Sequence, residues 1–136
     1  MDSPPHSLHA QLSIEEALKE REALYRHIVA SAADGFFIAD TQHRLVEVNE
    51  ALCRLLGYTA ADFIGRSPLD FITEASQITL KEQFARISTE DRRSYRLDGL
   101  HRDGSVIPTI LNTVTYRNTR GEIVGSLGFV TDLRDI

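Results

Sequence analysis

Three segments in the second half of the chain constrain its fold more than any other feature: SYRLDGLHR, SVIPTILNTVTYR and EIVGSLGFVTDL, all rich in β-branched and aromatic residues. Only Asp103-Gly104 interrupts the passage from the first to the second, and only NTRG, residues 118–121, the passage from the second to the third. Connections this short, with glycine at the turn, join antiparallel neighbours, whereas a parallel pair needs a long crossover. Three consecutive antiparallel strands are therefore expected.

The first half has a different texture. Two short β-like runs, GFFIAD and RLVEVN, are joined by TQH and are expected to form a hairpin. Helical signals follow in quick succession. Residues 49–56 are stopped by Gly57, a short turn begins at Thr59 with Asp62 three residues on, and Pro68 suits the first turn of a piece at PLDFI. A further helix at 76–88 carries Leu80, Phe84 and Ile87 at i, i+4 and i+7. Ahead of all these, residues 1–12 read as a disordered lead-in and SIEE, from Ser13, as a capping box. An amphipathic helix over 14–31 is expected, its stripe formed by Ile14, Leu18, Tyr25, Ile28 and Val29.

Length and charge narrow the classes of function. A chain of 136 residues supports one core. A formal net charge of −5, with no run of lysines or arginines, argues against nucleic acid and anionic membrane as partners. The single cysteine cannot form an internal disulfide, no apolar run reaches the ~18 residues of a membrane span, and MDSPPHSLHA lacks the pattern of a secretory signal. A reducing, cytoplasmic setting without membrane contact is the expectation. There is no phosphate-binding G-x-x-x-x-G-K-[ST], no H-E-x-x-H and no G-x-S-x-G, so no catalysis is expected within these residues.

The order helix, β, β, short helices, β, β, β, together with DGFFIAD…LVEVNEALCRLLGY, GRSPLDFI and HRDGSVIPTILNTV…RGEIVGSLGFVTDL, resembles the PAS domain family over about residues 20–134. The resemblance implies an α+β fold: a five-stranded antiparallel sheet with short helices on one face and an N-terminal amphipathic helix. It divides the chain into a capping or dimerisation helix at 13–32, a sensor domain at 33–134, and, at 135–136, the start of a linker to an effector absent from these residues. Asp132 falls where the family's closing motif has its aspartate. Members of the family serve as sensor or transmission modules in multidomain signalling proteins.

The same resemblance frames the cofactor question. In the flavin-binding, light-sensing branch a reactive cysteine lies in a segment matched here by Gly65-Arg66-Ser67-Pro68, and Pro68 stands in its place, which argues against a covalent flavin adduct. Cys53 belongs to a different helix, beside Leu52, Leu55 and Leu56, and reads as packing. Haem-binding members use a histidine on the long helix before the last three strands, and SQITLKEQFARIS has none. His43 and His101 lie in or beside turns and read as solvated, and no Cys/His cluster has metal-ligand spacing. The cofactor is left unassigned, with a flavin-bearing redox or light sensor kept as an alternative.

In the family's register Phe37 and Ala39 point into the sheet's concave side, with Tyr95, Leu97 and Gly99, Thr109, Leu111 and Thr113, and Ser126, Gly128 and Val130. This set is small and mildly polar, and two readings stay open: a ligand cavity, or a space filled by the helices' leucines and phenylalanines with each hydroxyl bonded to backbone. No buried cationic cluster is evident, which favours a neutral or amphipathic ligand over a di- or tricarboxylate. The opposite face carries Phe36, Ile38, Ile110, Val114, Leu127 and Phe129, an apolar patch that calls for cover. The expectation is a homodimer in which Leu18, Tyr25 and Ile28 contact Ile110, Leu127 or Phe129, with the Asp132 region relaying a change to whatever follows. A small-molecule sensor is thus the leading reading, and a ligand-free dimerisation and transmission module the other alternative.

Overall fold

The structure is a computed structural model that describes residues 16–17, 19–24 and 33–135. Residues 16–17 and 19–24 are helical and belong to a first unit, Met1–Ser31, while Ala32–Ile136 form a second. In the second unit β1 (Gly35–Ala39) and β2 (Leu45–Val48) make the expected hairpin, followed by α1 (Glu50–Leu56), α2 (Ala60–Phe63), a 3-10 turn at Pro68–Phe71 and α3 (Glu74–Arg86). The chain then runs through β3 (Arg92–Leu100), β4 (Val106–Arg117) and β5 (Ile123–Asp132), and ends in a 3-10 turn at Leu133–Asp135. The five strands form one sheet in the order β2-β1-β5-β4-β3, antiparallel throughout.

Local chemistry sets the helix ends. Asn49 caps α1, its Oδ1 accepting from Leu52 N–H at 3.0 Å, and the same oxygen accepts from Phe36 N–H at 2.9 Å. Its amide donates to the Asp34 carbonyl at 3.0 Å, so one buried side chain ties β1 to α1. At the other end Gly57 has φ 80°, and a β-carbon there would lie 2.6 Å from the His101 ring. Only glycine meets both conditions. In α2 the Asp62 carboxylate accepts from the Thr59 N–H and hydroxyl, each at 3.0 Å, which holds that carboxyl below its ordinary pKa.

The core lies between the sheet's inner face and the short helices. Phe63 and Phe71 pack with ring centroids 4.5 Å apart, and Tyr58 meets both edge-on. Leu45, Leu52, Leu56, Leu97 and Ile107 complete a buried apolar group around them.

Two boundaries differ from the sequence expectation. Helix α3 begins at Glu74 rather than 76, because Thr73 caps it by accepting from Ser76 N–H. Strand β3 begins at Arg92 rather than Ser94, since β4 is long enough to pair Arg92 with Val114 and Arg93 with Thr113. The charged pair Arg92-Arg93 reads locally as a loop, and strand pairing overrides that preference.

Candidate functional site

Alternation along β1, β3, β4 and β5 brings the expected inner-face residues together under the helices. Ala39, Leu97, Thr109, Leu111, Thr113, Ser126 and Val130 are buried there, as are Phe37, Gly99 and Gly128. Two cavities lie among them. The first, about 50 Å³, is lined by apolar side chains, chiefly Leu52, Leu56, Phe63, Phe71, Leu97 and Val130, with Gly99 and Thr109 at its sheet wall. The second, about 30 Å³, lies under α3 and is lined by His43, Phe84, Arg93, Tyr95, Thr113 and Ser126. Phe37, Pro68 and Leu111 line both, so the two cavities adjoin.

Gly128 lines neither cavity. A β-carbon there would lie 2.7 Å from the Phe37 ring, so the phenyl group already occupies the space that glycine leaves. Gly99 is open in the same sense only to Leu56, whose Cδ2 would be 2.9 Å from an added β-carbon. Two of the hydroxyls read as ligand donors are used internally. Thr109 donates to the Leu97 carbonyl at 2.7 Å and Thr113 to the Arg93 carbonyl at 3.3 Å. Tyr95 and Ser126 line the second cavity; burial pushes the Tyr95 phenol up, opposed by its hydrogen bond with the Thr113 hydroxyl and by Arg93.

The inner face holds one buried cation, though no cluster of them. Arg93 faces inward and is 8% exposed, the one charged side chain among the buried residues described. Its Nη1 donates to the Gln83 carbonyl at 2.9 Å, while its Nε has no partner. Sequence patterning alone passed over it because EDRR reads as a polar break. The available signal was alternation: Arg93 shares the parity of Tyr95, Leu97 and Gly99.

The histidines also depart from the solvated picture. His43 adopts φ 63°, unusual for a residue with a side chain, at the turn where the Asp40 carboxylate accepts from the Gln42 and Arg44 N–H groups. Its ring stacks on Phe84 with centroids 3.8 Å apart and planes 5° from parallel. Burial there pushes the imidazole pKa down; Asp40 opposes the shift and Arg93 adds to it. His101 is half-buried against Gly57, and its Nδ1 accepts from Asp103 N–H at 3.1 Å. Cys53 is half-buried against the core, and burial pushes its thiol up, away from the thiolate a nucleophile needs. Among the described residues no cluster of three or more His, Cys, Asp or Glu is arranged to hold a metal ion.

On the outer face Ile38, Ile110, Val114 and Leu127 are half-buried and Phe129 is 39% exposed. Phe36 departs from the expected exposed patch: it is 2% exposed, its ring 5.1 Å from that of Phe129. Leu18, Tyr25 and Ile28 lie outside the described residues. Asp132 ends β5 and accepts from the Arg134 guanidinium at 2.8 and 3.0 Å and from Arg134 N–H at 2.9 Å. Those bonds, the guanidinium first, lower its pKa and fix the point where the chain leaves the sheet.

The description "PAS fold" matches residues 23–133. The chain belongs to the PAS family. PAS domains are sensory rather than catalytic modules, and the match spans nearly all of the second unit. The chain is 27% identical over 124 residues to the methanogenesis regulatory histidine kinase FilI of Methanothrix harundinacea, covering 91% of this chain and 14% of that protein. It is also 27% identical over 100 residues to the basic helix-loop-helix ARNT-like protein 2 of Gallus gallus, covering 68% of this chain and 16% of that one. The chain therefore spans about a sixth or less of these relatives. The PAS domain of an HTR-like protein from Haloarcula marismortui shares the fold with a TM-score of 0.75 at 23% identity, over 89% of this chain and 98% of that one. Among the described residues no helix is long and apolar enough to cross a membrane.

Proposed function

We propose that this PAS domain senses a small amphipathic molecule held between the sheet and the short helices, and relays its presence through paired N-terminal helices to an effector. The observation that carries the reading is the pair of adjoining cavities, one almost wholly apolar and one with Arg93, Tyr95 and Ser126 on its wall. An apolar enclosure with a few convergent polar groups is the usual plan of a small-molecule site. The size of the ligand follows from the size of the space. At roughly 10–15 Å³ for each water-sized group, the two cavities together take about six non-hydrogen atoms. Relatives that are whole regulators, the histidine kinase among them, support a signalling effector beyond the sensor.

A melting screen of small amphipathic compounds tests the reading. The expected result is a saturable rise in melting temperature for compounds of about this size, absent for compounds twice as large. A library in which no small compound stabilises the chain contradicts it. The second reading, a ligand-free transmission module, draws on Thr109 and Thr113, whose hydroxyls are bonded to backbone as in a self-sufficient core. Absorbance of the purified protein near ~450 or ~400 nm, the approximate bands of flavin and haem, would instead favour a cofactor-bearing sensor.

A further inference from the structure

Arg93 is a buried cation whose one printed hydrogen bond goes from Nη1 to a neutral acceptor, the Gln83 carbonyl. A guanidinium stays protonated at any working pH, and an unpaired buried cation is strongly unfavourable unless a counterion or ordered partner meets it. Among the described residues no carboxylate pairs with Arg93. Its Nε is unpartnered, and so is Oε1 of Gln83, the residue whose carbonyl receives Nη1. Arg93 borders the second cavity, where Ser126 and Tyr95 also stand. Beyond Phe37 and Leu111, which line both cavities, lies the apolar one, with no charged side chain on its lining.

We infer that the second cavity is an anion subsite that receives the carboxylate of a short-chain monocarboxylic acid on Arg93, its alkyl chain passing Phe37 and Leu111 into the apolar cavity. This deepens the sensor reading and rests on it. One cation selects one negative charge. A dicarboxylate would leave its second charge among leucines and phenylalanines, and a phosphate would bring more charge than Arg93 offsets. The space for about six non-hydrogen atoms, at roughly 10–15 Å³ each, matches an acid of about four carbons.

The test titrates the whole chain with butyrate and, separately, with 1-butanol as its neutral match, followed by backbone amide NMR shifts at constant ionic strength. Butyrate is expected to shift the amides around Arg93, Tyr95, Thr113 and Ser126 saturably, and to bind at least tenfold more tightly than 1-butanol. Arg93→Lys, which keeps the charge but loses the planar fork, is expected to bind butyrate severalfold more weakly, and Arg93→Met to lose the preference for the acid. Should Arg93→Met fail to fold, the comparison of acid with alcohol on the unaltered chain decides alone. Equal binding of the two overturns the carboxylate subsite and leaves the sensor reading standing, as does 1-butanol binding without butyrate. Shifts that sodium chloride reproduces at equal concentration also overturn it, while the melting screen judges the sensor reading separately.

Discussion

The Asn49 side chain satisfies the Phe36 and Leu52 N–H groups and the Asp34 carbonyl from one buried position. Asn49→Ala removes a helix cap and the bond that the Phe36 N–H donates to Asn49 Oδ1, each worth about 1–2 kcal/mol. Chemical denaturation is expected to show a loss of about 2–3 kcal/mol, on those magnitudes, and a loss below the size of a single cap would contradict the double role. His43 yields a pH prediction. Its folded pKa lies below the ordinary value of 6.5, so the unfolded chain binds the proton more readily, and stability is lost as pH falls below 6.5. The drop in melting temperature between pH 7.5 and 5.5 is expected to shrink in His43→Phe, which keeps the stack on Phe84 without the charge. An unchanged drop would mean that other groups set it. At this scale the sequence was legible wherever alternation governed: the inner-face residues from Phe37 to Val130 followed from alternation once the family's register chose the inward face. It failed at His43 and Arg93, where a turn and a charged dipeptide look solvated until α3 packs over them.

Elements were legible in proportion to the strength of their punctuation. Gly57, the Thr59-Asp62 pair, Pro68 and the turn glycines 104 and 121 placed α1, α2, the 3-10 turn and both hairpins. Boundaries slipped where long-range pairing decided, at the start of β3 and of α3. Four links hold α3 and its caps against the sheet: Thr73 N–H donates to the Asp98 carbonyl at 3.0 Å, Ser76 Oγ accepts from Asp98 N–H at 2.8 Å, Arg93 donates to the Gln83 carbonyl, and Thr115 donates to the Ile87 carbonyl at 3.4 Å. The helix is thereby a cover over the second cavity, where the proposed ligand would change what it rests on. The N-terminal helix is the proposed relay. Deleting residues 1–31 is expected to leave a monomer or an aggregating protein, because the outer face of Ile110, Leu127 and Phe129 would lose the cover proposed for it. Light scattering that finds an unchanged, soluble dimer after the deletion would place the interface elsewhere.

For the whole molecule the central question is whether the small enclosed space is occupied. Close packing makes an empty apolar cavity unfavourable, and the unpaired Arg93 makes an empty polar one more so. The sequence could pose the choice between cavity and filled core, but side-chain volumes alone do not decide it: Phe37 takes the room over Gly128, while nothing takes the room beside Val130. Native mass spectrometry of the gently purified chain, compared with the same sample after denaturation, addresses this most directly. The account predicts a native mass exceeding the polypeptide by a small organic acid of about six non-hydrogen atoms, the size set by roughly 10–15 Å³ per group, released on denaturation and identifiable in the extract. A native mass equal to that of the bare chain, unchanged when butyrate is added in excess, would contradict it.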